Sequence, residues 1–112
     1  MNTKGNYLGE FEELILLAVT SLVDDAYGVS VMKYINQETG RNVNISAVHE
    51  GLKRLQKKGY LESSMGDPTQ VRGGRRKRFF EVTALGKSTL EEVMNLKIQL
   101  YKKVPNFSLK II

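Results

Sequence analysis

Between Gly9 and Leu22 the apolar residues Phe11, Leu14, Ile15, Ala18 and Leu22 recur at spacings of three and four, the period of one helix face. Glu10, Glu12 and Glu13 crowd the start of this segment, where a helix dipole favours anions. Leu17 and Val19 lie outside the main stripe, so the pattern predicts a first helix buried against more than one neighbour. Tyr27-Gly28 marks a turn, and Val31, Met32 and Ile35 predict a short second helix stopped by Gly40. Asn42-Val43-Asn44-Ile45 alternates strictly and reads as a very short strand, with Ser46 next as an N-cap. A third helix is expected from about Ala47 to Lys58, with Val48, Leu52 and Leu55 inward and Gly59 closing it. Gly51 inside it costs about 1 kcal/mol against alanine. It reads either as room for helix two or for a ligand to approach, or as a tolerated defect.

Alternation returns at residues 61–65 and again in Arg78-Phe79-Phe80-Glu81-Val82, with Phe80 and Val82 on one face. Gly66-Asp67-Pro68 and Gly73-Gly74 lie between, so the two segments predict a hairpin with a long tip at 66–77. Thr83 is placed to cap a final helix from about Ala84 to Lys103, ended by Pro105. On that helix Leu85, Thr89, Val93, Leu96, Leu100 and Val104 form one face, and Leu90, Met94 and Tyr101 a second beside it. The apolar arc covers nearly half the circumference, more than packing on one core requires. The surplus predicts a second copy of the chain as partner. The order of elements describes a mainly α fold with a small β-hairpin, a winged helix-turn-helix. Residues 1–83 would form the reading domain and 84–112 a dimerisation helix and tail, together one compact unit. The apolar tail residues Phe107, Leu109, Ile111 and Ile112 are expected to fold back into a groove of the dimer.

Composition narrows the function. The chain has 112 residues, 41% hydrophobic and 26% charged, ordinary for one globular domain. It has no cysteine, which excludes disulfides and thiolate zinc sites, and its single histidine supports neither a histidine metal cluster nor a Ser/His/Asp triad. No metal or cofactor is expected. The longest apolar run, Leu14 to Val19, is far short of the roughly 20 residues that span a bilayer. No signal peptide is visible, so a cytoplasmic protein is expected.

The net charge of +5 gains meaning from its location. Residues 53–78 hold nine basic residues and only Glu62 and Asp67 against them, leaving the rest slightly acidic. Such a strip is the footprint of a phosphate-backbone reader. On the third helix the face opposite the core shows Ser46, Ala47, His49, Glu50, Lys53 and Arg54. Ser46 and nearby backbone N–H groups suit a phosphate, Lys53 a phosphate or guanine, and His49 a hydrogen bond or stack. The hairpin tip adds Arg72, Arg75, Arg76 and Lys77 beside Gly73 and Gly74, suited to a minor groove or phosphate edge. The candidate DNA-binding set is therefore Ser46, His49, Lys53, Arg54, Arg72, Arg75, Arg76 and Lys77. The candidate dimer contacts are Phe11, Leu90, Val93, Met94 and Tyr101. A protein-interaction module whose basic wing docks an acidic partner is the competing reading. RNA binding lacks a platform of paired aromatics, and no nucleophile–base pair or phosphate-binding loop supports an enzyme.

The chain resembles PadR-type transcriptional regulators of the small subgroup with one C-terminal helix. The resemblance rests on residues 9–14, Tyr27-Gly28, residues 45–49, Leu52, Arg54-Leu55, residues 58–61, residues 72–80, Thr83 and Gly86. It implies a homodimeric repressor on a palindromic double-stranded operator, paired through the C-terminal helix. Some similar proteins bind aromatic or drug-like effectors near the dimer interface, and here Phe11, Met94 and Tyr101 either line a pocket for a small apolar effector or pack the core. The chain departs from the family pattern at His49, where tyrosine is usual, and at Ser46, often glycine. Its final helix also lacks the tryptophan with which drug-binding relatives stack.

Overall fold

The computed structural model describes residues 8–66 and 76–105. Among the described residues the helices are α1 (Glu10–Leu22), α2 (Gly28–Thr39), α3 (Ile45–Lys57) and α4 (Ala84–Lys102), with a 3-10 turn at Val23–Asp25. Strands β1 (Leu61–Met65) and β2 (Arg78–Val82) pair antiparallel between α3 and α4, with Leu61 opposite Val82 and Met65 opposite Arg78. The tip of the hairpin, with Arg72, Arg75 and Gly73-Gly74, lies outside the described residues, as does the apolar tail from Asn106 onward.

Helix α1 is the central element and packs on α2, α3, α4 and β2. Its buried face is Ile15, Leu16, Ala18 and Val19. Val19 therefore joins the core rather than lying beside it, while Leu17 points outward; Phe11, Leu14 and Leu22 are only partly buried. The wide stripe anticipated several neighbours, but its centre lies about one residue round the helix from the expected face. Leu8 and Ala26, Val31 and Ile35 from α2, Val48, Leu52 and Leu55 from α3, then Tyr60, Leu61, Phe80 and Leu90 complete the core. Each fully buried aliphatic side chain contributes about 1.5–3 kcal/mol, so this cluster is the main source of stability.

The expected strand at Asn42–Ile45 is absent among the described residues: Ile45 already belongs to α3. The cause is local. The Asn36 side chain takes both backbone bonds that Val43 would have offered to a sheet, donating to its carbonyl (3.2 Å) and accepting from its N–H (2.9 Å). The cap also shifts by two residues. Asn44, not Ser46, accepts from the Ala47 N–H at 2.8 Å and starts α3. Ser46 consequently sits in the first turn of the helix. Gly40 ends α2 with φ 75°, a left-handed cap that glycine adopts without a Cβ penalty.

Gly51 is explained by α1, not by α2. A Cβ there would overlap Cδ1 of Ile15, which is fully buried. The missing side chain lets α3 cross α1 closely, and that contact offsets the propensity cost. A backbone bond from the Phe80 N–H to the Ala26 carbonyl, 2.8 Å, ties the hairpin to the link before α2. Thr83 caps α4 as expected, accepting from the Gly86 N–H at 3.0 Å while its hydroxyl donates to the Gly59 carbonyl at 2.7 Å.

Candidate nucleic-acid interface

Helix α3 turns Val48, Gly51, Leu52 and Leu55 into the core. At 100° per residue the opposite face is Ser46, Glu50, Lys53 and Lys57, all exposed. His49 and Gln56 flank this face on one side and Arg54 on the other. The two flanks meet different neighbours, and that separates the expected residues.

His49 lies toward the start of α2. A Cβ on Gly28 would overlap its imidazole, with Cδ2 only 2.8 Å away, so the ring rests against the α2 N-terminus. Beside it is a cleft of about 740 Å³ lined by Tyr27, His49, Lys53, Gln56, Lys77 and Phe80, among others. Its floor is apolar and its rim basic, between the recognition helix and the root of the hairpin. Lys77 Nζ sits 4.2 Å from the centroid of the Tyr27 ring, a cation–π contact. Tyr27 also meets Phe79 edge-on at 5.6 Å between centroids. Arg76 Nε donates to the Gly66 carbonyl at 3.0 Å, and Arg78 donates to the Ser63 hydroxyl at 3.0 Å. Arg76 and Lys77 thus leave the hairpin from a braced root next to His49 and Lys53. Arg72 and Arg75 lie outside the described residues.

Arg54 points the other way. Its Nε donates to Glu12 of α1 at 3.1 Å, and Lys58 Nζ reaches the same carboxylate at 3.0 and 3.1 Å. Glu12 Oε1 also accepts the Gly9 N–H at 2.9 Å. Burial pushes the Glu12 carboxyl up, but the bonds from Gly9, Lys58 and Arg54 outweigh it and hold its pKa below the usual value of 4.5. Two of the nine basic residues in the strip therefore tie α3 to α1. Glu12 was legible in principle: it precedes Ile15, Leu16 and Val19 by three, four and seven, which puts a carboxylate on the buried face. In the sequence Tyr27 and Gly28 mark a turn and part of the family resemblance, and no spacing rule marks them as a brace for the hairpin.

The expected dimer residues also separate. Leu90 is buried in the protomer's own core, and Phe11, Val93 and Met94 pack partly against it. Tyr101 is the most exposed of the five, at 48%. Beyond Lys97 the helix outruns its own domain, and Ile98, Leu100, Tyr101 and Val104 are 42–58% exposed. Leu85 and Leu96 add to this bare apolar surface.

A helical trio with an exposed recognition helix, followed by a basic hairpin, defines a winged helix-turn-helix, the architecture of a duplex-DNA reader. Residues 16–92 match the model of the transcriptional regulator PadR-like family. The chain belongs to that family and is a DNA-binding transcriptional regulator, not an enzyme. It is 31% identical over 88 residues to an uncharacterized protein of Lysinibacillus sphaericus, covering 77% of this chain and 76% of that one. A PadR family transcription regulator from Clostridium difficile superposes with a TM-score of 0.67 at 25% identity, covering 90% of this chain and 99% of the other. A PadR-like regulator from Bacillus cereus gives 0.70 at 21% identity, over 86% and 88% of the two chains. No described helix is long and apolar enough to cross a membrane.

Proposed function

We propose that the chain is a homodimeric repressor that reads a two-fold operator, each protomer placing α3 in the major groove and its hairpin on the flanking backbone or minor groove. The observation that carries this reading is the juxtaposition of the exposed Ser46–Lys53 face with Arg76 and Lys77 across one basic-rimmed cleft. Ser46 and Lys53 are the base- and phosphate-facing residues of the helix, and His49 reads from its flank. Arg72, Arg75, Arg76 and Lys77 supply phosphate contacts, which fix register and carry no sequence information themselves. Arg54 moves from the reading set to a bracing role. Dimerisation uses the distal part of α4, where the exposed Leu96, Leu100 and Tyr101 continue an apolar stripe past the end of the protomer's core. A surface of that kind rarely stays bare. A second copy fits it best, because one helix and one wing have a small footprint and a C2 pair doubles it.

Gel shifts on the gene's own upstream DNA test the reading. A discrete complex that resists nonspecific competitor is expected. Arg76→Ala with Lys77→Ala should weaken binding to all sequences and flatten the salt slope by about one unit each. Lys53→Ala should instead change base preference. Unchanged affinity and salt dependence in the hairpin double variant would refute the assignment. So would a complex that any duplex displaces, the behaviour of a module docking an acidic protein instead.

A further inference from the structure

Helix α4 packs on its domain through Leu90, Val93 and Met94, and polar contacts flank that packing on either side. Near its start, the Thr83 N–H donates to the Tyr60 carbonyl at 3.0 Å, and Gly86 lies so close to the Tyr60 backbone that a Cβ would sit 3.0 Å from its carbonyl carbon. This end is a fixed pivot. Farther along, Lys97 Nζ donates to Glu13 Oε1 at 2.7 Å. The Glu13 side chain is only 10% exposed, so its charge has largely left water and depends on that partner. Past Lys97 the side chains of Ile98, Leu100 and Tyr101 on α4 are about half-exposed.

The preceding residue on α1, Glu12, holds α3 through Arg54 and Lys58. Neighbouring positions on a helix diverge by 100°, so two adjacent carboxylates grip helices on two different sides. One turn later Ile15 fills the space left by Gly51 and bars α3 from sliding along α1. The first turn of α1 is thus a rigid fork between the helix that reads and the helix that would pair.

We propose that Glu12 and Glu13 are positioning residues: together they transmit the angle of α4 to the recognition helix, and so set the half-site spacing that the dimer accepts. This rests on the dimeric reading above. From Gly86 to Lys97 the helix rises roughly 16 Å, and to its end at Lys102 roughly 24 Å, at 1.5 Å per residue. Play of about 2 Å at Lys97 becomes about 3 Å at the far end. Two-fold symmetry doubles that to about 6 Å, roughly two base pairs at 3.4 Å each. A loosened tie therefore blurs spacing by the amount that separates a correct site from a wrong one.

The test uses the full chain on duplexes carrying its selected half-sites at native spacing and at one and two base pairs more or less. Wild type, Lys97→Met, Glu13→Gln and Lys97→Arg are titrated, with sedimentation velocity to follow association. Wild type should lose at least about tenfold in affinity at a two-base-pair offset. Lys97→Met and Glu13→Gln should stay dimeric and bind the native spacing, with the offset penalty reduced below about threefold. Lys97→Arg, which keeps charge and reach, should restore the penalty. Dimeric variants with the wild-type penalty would overturn the inference alone. Lys97→Met failing to dimerise would also overturn it, since the tie would then serve pairing rather than angle. A wild type that binds DNA as a monomer would overturn the dimeric reading and this inference with it.

Discussion

Replacing Glu12 with glutamine removes one negative charge from between α1 and α3 and leaves the shape unchanged. The carboxylate is 7% exposed and meets Arg54 Nε at 3.1 Å and Lys58 Nζ at 3.0 Å. A charge-assisted bond contributes roughly 1.5–3 kcal/mol and a neutral one roughly 0.5–1.5, so two bonds lose about 2 kcal/mol together. Two features reduce the loss. Arg54 and Lys58 are 50% and 28% exposed, so water takes up part of their charge. Glutamine also needs no desolvated charge, and it keeps an acceptor for the Gly9 N–H. The net expectation is about 1–2 kcal/mol at pH 7. The pH dependence follows from the depressed pKa of Glu12. A carboxylate whose folded pKa lies below its ordinary 4.5 stabilises the fold fully above that value, and loses the contribution as pH falls through the folded pKa. Urea melts of wild type and Glu12→Gln at steps from pH 7 to pH 3 should show the gap constant down to about 4.5 and shrinking below it. A gap that persists unchanged to pH 3, or no gap at pH 7, would refute the reasoning.

Two glycines give further tests. At Gly86 an alanine Cβ would collide with the Tyr60 backbone, which cannot swing aside as a side chain can. Overpacking of about 3 kcal/mol, offset by about 1 from helix propensity, leaves about 2, and thermal melting should show Tm lower by about 8–16 °C; an unchanged Tm would contradict the close approach. Gly28→Ala differs, because the atoms it meets belong to the exposed His49 ring, which can rotate away. Its stability should stay within about 1 kcal/mol of wild type. Its DNA affinity should fall several-fold in gel-shift titration, and full retention of affinity would remove His49 from the interface.

How much could be read from the residues alone differs by element. The four helices and the hairpin were legible because their apolar spacing and caps agree: three- and four-residue steps run to Leu22 and Ile35, and Thr83 and Gly40 stand at helix ends. The region around Val43 was not, because its alternation is that of a strand while a side chain seven residues earlier takes the backbone bonds. Gly51 illustrates a wider limit. A residue with no side chain carries no pattern, so its partner, Ile15, appears only once two helices cross. Charge is similar. Arg54 and Lys53 are adjacent and equally basic, yet 100° of helix rotation sends one to Glu12 and leaves the other exposed. Leu90 and Leu100 likewise share an apolar reading, and only the length of the domain beneath α4 decides that the first is core and the second is bare.

Paired reading of duplex DNA is tested by selecting bound duplexes from a random pool with the purified protein. Enrichment of an inverted repeat is expected, its half-sites about one helical turn apart or a multiple of that. Selection of a lone half-site, a direct repeat or no common sequence would contradict it.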